Sequence, residues 1–231
     1  MLRAWEDLPE FMKIPEVRPY WETLYRKRWQ LLLKRLIDLS LAVILIVLLA
    51  VPMLFISLLI AFDSEGPVFY RQQRVTTYGK RFRIHKFRTM VVDADRIGQH
   101  ITTGNDSRIT RIGHVLRKYR LDELPQLLDV LAGDMSFVGT RPEAVKYVEQ
   151  YRPEFYATLL MPAGITSEAS IRYKDETKLI SSSDNVDEVY VNRILPAKMK
   201  WNLESITRFR FLREILTMFR TVLAVMGKEY R

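Results

Sequence analysis

The densest run of potentially reactive side chains in this 231-residue chain is LRKYRLDELPQLLDVLAGDMSFVGTRPE. Within it Asp122 and Glu123 are adjacent carboxylates and Pro125 follows two residues later. Proline is favoured in the first turn of a helix, where its missing N–H costs nothing. That spacing predicts an acidic pair at a helix N-terminus, where the backbone dipole favours negative charge. An ionised carboxylate so placed can serve as nucleophile or metal ligand, although an aspartate there is also an ordinary cap. Basic side chains surround the pair in sequence: Lys86 and Arg88 in KFRTM, Arg108 and Arg111 in DSRITR, Arg117 in LRK and Arg141 in GTRPE. Arginine offers a planar fork matched to phosphate oxygens and lysine a point charge. Carboxylates beside several cations are what a diphosphate needs, with Mg²⁺ bridging between oxygens. Asp134, beside Gly133, reads as a turn residue rather than a second acidic ligand.

Composition limits the alternatives. The chain holds 36 Lys and Arg against 27 Asp and Glu, a formal charge of +9, so an anionic partner is expected: lipid head groups, nucleic acid or a phosphorylated substrate. No cysteine is present, which excludes disulfides and thiolate chemistry, and the three histidines are too scattered to suggest a metal cluster.

These groups must be held by something, and the most conspicuous element is apolar. Residues 39–62 are 24 consecutive positions without charge, about 36 Å of helix against a hydrocarbon core of about 30 Å. The run starts too late and is too long for a cleaved signal peptide. Pro52 stands in its middle and predicts a kink. Basic residues flank both ends, Arg26 to Arg35 before and Arg71 to Arg83 after. The positive-inside rule is then met by a helix that bends and returns to the face it entered, although a kinked spanning helix remains open.

Ahead of that run, residues 20–35 read as an interfacial helix with aromatic rings at head-group depth. After it, 68–74 and 81–90 read as strands joined by a turn at Tyr78–Gly79. Helix is expected at 91–100, 111–120, onward through 131, and at 143–160. Residues 101–108, 162–166 and 181–187 read as loop or turn, and 169–174 as a strand. Residues 203–226 place apolar side chains at helical spacing among arginines, which suits a membrane surface or a core-packing helix. The organisation expected is an interfacial segment at 1–35, a membrane helix at 36–62, a catalytic domain at 63–200 and an amphipathic helix at 201–231. The fold class is α/β, helix-rich with few short strands, and no attached second domain or amino-terminal multi-span region is expected.

Five fragments in order, KRLIDLSLA, GPVFYRQQRV, FRIHKFRTM, NDSRITRIGHVLRKYRLDELPQLLDVLAGDMSFVGTRPE and PAGIT, resemble the bacterial sugar transferase family, the monotopic polyprenol-phosphate phosphoglycosyl transferases. The resemblance implies a compact domain on the cytoplasmic face of the bacterial inner membrane, anchored by a re-entrant helix broken at Pro52. It implies that Asp122 attacks the sugar-linked phosphorus of a UDP-sugar, expels UMP, and passes the sugar phosphate to polyprenol phosphate. Mg²⁺ is the implied cofactor, held at Asp122 and Glu123. Lys86, Arg117 and Arg141 are the implied phosphate contacts. Implied partners are the anionic bilayer and downstream glycosyltransferases, with no role for nucleic acid. The chain departs from the family pattern at Val51, Thr76 and Thr140, and at Ser167-Glu168-Ala169-Ser170 after PAGIT. Two other readings fit parts of the sequence. One is a non-catalytic membrane scaffold that binds anionic lipid or a partner glycosyltransferase. The other is a tethered nucleic-acid binder, for which only the net charge speaks.

Overall fold

The computed structural model describes residues 2–94, 106–173 and 186–227. The helix expected at 91–100 and the loops expected at 101–108 and 181–187 fall largely outside them.

Helix α1 (Arg18–Arg26) ends at Lys27, and α2 (Arg28–Asp63) begins at once, so the expected interfacial helix is divided and its second half joins the apolar run. Helix α2 contains Pro52 within its span rather than stopping there. Its middle is solvent-facing, with Val47, Leu48, Val51, Leu54 and Phe55 all exposed. It is therefore no core helix, and it is long and apolar enough to cross a bilayer.

Strands β1 (Phe69–Val75) and β2 (Arg81–Phe87) pair antiparallel, with Tyr70 opposite Lys86 and Arg74 opposite Phe82. The turn between them needs two consecutive left-handed residues, Tyr78 at φ 58° and Gly79 at φ 78°, the twist that closes tight hairpins. Alternation along β2 buries Phe82 and Ile84 against Ala42, Val130, Met135 and Ala163. Its last residue, Phe87, is buried with Ile56, Ile60 and Leu116.

Helix α3 (Arg111–Lys118) is capped by Thr110, whose hydroxyl accepts from the Gly113 N–H at 3.0 Å. Helix α4 (Gln126–Ala132) follows and leads into β3 (Met135–Val138). Residues 143–160, expected as one helix, form a short α5 (Val145–Val148) and a separate 3-10 stretch, Pro153–Leu160. Pro153 is the reason, since it restricts the residue before it to extended geometry.

Residues 163–166 are a strand rather than a loop: β4 (Ala163–Thr166) lies parallel to β3. Gly139 and Gly164 permit the approach, since a Cβ on Gly164 would fall 2.2 Å from the Gly139 nitrogen. The strand expected at 169–174 is instead helix α6 (Glu168–Arg172), because Ser167 caps it by accepting from the Ser170 N–H at 2.9 Å. Helix α7 (Val186–Val189) passes through a π turn into α8 (Leu195–Thr207), and α9 (Phe211–Val225) closes the described chain.

The largest core is built from both sides of α2. Leu8, Met12, Val17, Trp21 and Leu24 precede that helix and are buried against Val75, Ala157, Leu159, Leu160, Ile206 and Phe209, which follow it. The Arg3 amide also donates to the Tyr78 hydroxyl at 2.9 Å, and Trp21 Nε1 donates to the Arg3 carbonyl at 3.0 Å. The amino-terminal aromatic residues thus divide: Trp21 is core, while Trp29 remains 74% exposed.

Candidate active site

The acidic pair lies in a 3-10 turn, Leu121–Glu123, between α3 and α4. Pro125 stands at the N-cap of α4, so the pair precedes that helix rather than sitting in its first turn. Arg120 turns the chain into this position with φ 57°, a left-handed conformation uncommon outside glycine. Leu121 and Leu124 on either side pack on the cluster of Phe87 and Leu116. Apolar anchors thereby fix a turn whose two central residues are carboxylates.

The two carboxylates have different surroundings. Glu123 accepts from Lys86 Nζ at 3.1 Å and from Arg141 Nη2 at 2.5 Å, with Arg141 Nη1 at 3.4 Å from its other oxygen. Burial pushes its carboxyl up, but Arg141 and Lys86 outweigh burial and hold it well below the ordinary carboxylate range. Asp122 moves the other way. Burial, with the adjacent Glu123 charge, raises it against the pull of Lys86, Arg117 and Arg120. Lys86 is shifted down by burial, only partly offset by Glu123, and burial likewise lowers Arg117, against Asp122 and Asp106. Paired groups pushed apart in this way are a recurring mark of divided chemical roles.

Of the six basic residues singled out in sequence, Lys86, Arg117 and Arg141 converge on the pair. Arg108 stands one shell back: it donates to Asp106 at 2.6 and 2.8 Å and to the Ala94 carbonyl at 2.7 Å, and its charge reaches Arg117. Arg111 is exposed at the first position of α3. Arg88 is placed elsewhere. Its buried guanidinium donates to the Pro67 and Ser64 carbonyls, both at 2.6 Å, and to the Ile60 carbonyl at 3.4 Å. It closes the C-terminal carbonyls of α2, a helix clasp, and is not brought to the acidic pair.

Two cations absent from the sequence-derived set belong here. Arg120 acts electrostatically on both carboxylates. Arg74, on β1, reaches Gln72 Oε1 and the Pro142 carbonyl, and its charge bears on Lys86. Only the register of β1 against β2 brings Arg74 and Lys86 onto one face of the hairpin. Thr140, where the sequence departs from the family pattern, does not slacken its loop. Its carbonyl accepts from the Gly164 N–H and the Gly139 N–H donates to the Thr166 carbonyl, both at 2.9 Å.

Among the described residues no group of three His, Asp or Glu side chains could hold a metal ion. Asp122 and Glu123 are nevertheless hard oxygen donors of the kind Mg²⁺ takes in ones and twos, completing its shell with substrate phosphate and water. Asp122 suits an ion that arrives with a diphosphate, whereas the Glu123 oxygens already face Lys86 and Arg141.

Comparison with known proteins finds several relatives. The chain is 33% identical over 198 residues to a UDP-N-acetylgalactosamine-undecaprenyl-phosphate N-acetylgalactosaminephosphotransferase of Aeromonas hydrophila, covering 84% of this chain and 44% of that protein. It is 35% identical over 196 residues to a UDP-glucose:undecaprenyl-phosphate glucose-1-phosphate transferase of Escherichia coli (strain K12), covering 83% of this chain and 39% of that protein. It is 42% identical over 125 residues to a putative undecaprenyl-phosphate N-acetylgalactosaminyl 1-phosphate transferase of Bacillus subtilis (strain 168), covering 54% and 69%. The chain thus spans less than half the length of the first two. The family model described as bacterial sugar transferase matches residues 29–228, a stretch that takes in the long apolar helix, the acidic turn and the cations around it, and the chain belongs to that family.

Proposed function

We propose that this protein transfers a sugar 1-phosphate from a UDP-sugar to polyprenol phosphate, by way of a phosphosugar–aspartyl intermediate on Asp122. The observation that carries this reading is the division of the acidic pair. Glu123 is neutralised by Lys86 and Arg141, while Asp122 is left as the carboxylate with chemistry to do.

In the first step an Asp122 oxygen attacks the sugar-bearing phosphorus. The bond from that phosphorus to the bridging oxygen breaks, and the electron pair leaves with UMP. In the second step a polyprenol phosphate oxygen attacks the same phosphorus, the acyl phosphate bond breaks, and the Asp122 carboxylate is restored. Lys86, Arg117 and Arg120 favour the ionised, reactive form of Asp122 against burial. Ionised Glu123 holds Lys86 and Arg141 in place at the edge of the diphosphate site. Asp122 would hold Mg²⁺, which supplies charge neutralisation when bound, and Glu123 would join it only by giving up Lys86 or Arg141.

Membrane attachment by re-entry belongs to the same proposal. Chain segments before and after the apolar run of α2 share one core, and Asp38 and Asp63, which flank that run, bond to Ser136 Oγ (2.7 Å) and the Ile112 N–H (2.9 Å) of the same domain. A straight crossing would put those segments on opposite sides of the bilayer. This supports a helix bent at Pro52 and a catalytic domain on the cytoplasmic face, where UDP-sugars and downstream glycosyltransferases are found.

The deciding assay is UMP release by detergent-solubilised protein given polyprenol phosphate, Mg²⁺ and a panel of UDP-sugars. Release with one donor, abolished by Asp122→Asn and by EDTA, is the expected result. Full release from Asp122→Asn would overturn the mechanism, and silence with every donor would favour the scaffold reading. Single cysteines replacing the exposed Arg3 and Glu149 test topology, since the chain has no native cysteine. Impermeant maleimide should reach both from one face only.

A further inference from the structure

A cavity of about 360 Å³ lies away from the acidic turn, between α6, α8 and α9, with the end of β3 as its floor. Five arginines line it. Two are tied to acidic side chains: Arg220 donates to Glu168 at 2.9 Å, and Arg208 lies 2.8 Å from Glu204. Glu214 also lines the cavity but is held by Lys34 at 2.7 Å. No carboxylate pairs with Arg172, Arg210 or Arg213 among the described residues, so the described lining has five arginines against three glutamates. Arg172 lies over Trp201, its guanidinium carbon 3.9 Å from the ring centroid, a cation–π contact that restrains the side chain. Its Nε is buried without a hydrogen-bond partner. A sequestered N–H of this kind is a standing cost that an acceptor oxygen would remove.

The rim is apolar. Leu216 lines the cavity and is half exposed, and Leu212, Phe219 and Leu223 continue an exposed apolar face along α9. Helix α9 is joined to the membrane helix by Lys34 and Glu214, 2.7 Å apart. A ligand with a phosphate at one end and hydrocarbon at the other satisfies both surfaces, whereas a water-soluble phosphate satisfies only the arginines. The acceptor lipid of the proposed reaction is a poorer match. Its phosphate must reach Asp122, and the cations acting most strongly on Asp122 and Glu123 are Lys86, Arg117, Arg120 and Arg141, none of which lines this cavity.

We infer that this cavity is a binding site for the phosphodiester head group of an anionic bilayer phospholipid, with the acyl chains lying along α9. The site would seat the domain on the membrane at a second point, in a fixed orientation to α2. The inference does not depend on the transferase reading, because it is tested by binding alone.

The test is native mass spectrometry of the 231-residue chain in nonionic detergent, with added phosphatidylglycerol or phosphatidylcholine of the same chain length. Wild type should retain one phosphatidylglycerol about tenfold more readily than phosphatidylcholine. Arg172→Gln and Arg213→Gln should each remove most of that preference, and Arg28→Gln, an exposed control on α2, should leave it intact. Arg213 is exposed on α9, so its substitution tests the site without threatening the fold. Equal retention of the two lipids, or a preference unchanged in both cavity variants, would overturn the inference. So would displacement of phosphatidylglycerol by equimolar polyprenol phosphate, which would make the occupant the acceptor, or by millimolar inorganic phosphate, which would make it a free anion.

Discussion

Two buried Lys–Glu pairs in this molecule lie at similar separations and behave in opposite ways. Lys86 and Glu123 are 3.1 Å apart, Lys34 and Glu214 2.7 Å apart, and all four side chains are largely buried. Glu123 is held well below its ordinary value because Arg141 adds a second cation. Glu214 is raised because burial outweighs its single lysine and Asp38 adds a competing carboxylate, 3.8 Å from the same Lys34. Around the acidic turn, four cations (Lys86, Arg117, Arg120 and Arg141) meet two carboxylates. Where α2 meets α9, one cation meets two. The first arrangement keeps positive potential for an anion to use, and the second closes on itself and joins two helices. Local charge count, rather than the pairing distance, separates a site from a strut.

The sharpest way to break the comparison is to remove a carboxylate whose ionised form burial disfavours. Asp122→Asn should lower UMP release by at least about a thousandfold and leave the thermal midpoint unchanged or slightly raised, both read on one preparation. Removing the lysine of each pair should separate their roles. Lys34→Met leaves Asp38 and Glu214 buried without their cation and should cost about 3–5 kcal/mol in urea denaturation. Lys86→Met leaves Glu123 its arginine, so the loss should fall on turnover, about a hundredfold, with a smaller change in stability. Arg141→Lys keeps the charge but loses the fork that spans both Glu123 oxygens, and a drop in turnover of about tenfold is expected. An Arg141→Lys enzyme of full activity would show that charge alone suffices there.

The smallest effect expected is one of pH. A carboxyl raised in the folded state, as Glu214 is, binds its proton more tightly folded than unfolded. Its contribution to stability is therefore complete below the unfolded value of about 4.3 and is lost as pH rises through the higher folded value. Glu123 has the reverse sign, its contribution present above the unfolded value and lost as pH falls toward the folded one. Urea midpoints for wild type and Glu214→Gln between pH 4 and pH 7 should move in the variant's favour as pH rises. A constant difference would mean that Glu214 is not perturbed.

Much of the acidic turn was legible in the chain itself. The adjacency of Asp122 and Glu123, the proline behind them and the basic runs nearby are local facts, and the same is true of the Tyr78–Gly79 turn and the 24-residue apolar run. The place of Arg88 at the end of α2 is invisible in sequence, because a guanidinium that closes a helix end and one that holds phosphate look alike there. Arg74 went unnoticed because its relevance comes from cross-strand register. The strand at 163–166 looks like a loop in sequence because its partner lies about 28 residues earlier and its backbone bonds are invisible in composition. Residues 169–174 carry types that suit a strand, and it is the cap at Ser167 that starts α6 there.

By itself, then, the sequence determined which groups were available: two neighbouring carboxylates, an excess of cations, and one apolar helix too long and too uncharged for a soluble core. Only the tertiary structure decided how they were shared. It gave Lys86 and Arg141 to Glu123 and Arg88 to the end of α2, and it gathered chain from both sides of the apolar run into one core. The reason is physical. Burial and charge neighbourhood depend on contacts between residues far apart in the chain, and those contacts set whether a carboxylate is neutralised, strained or free to react.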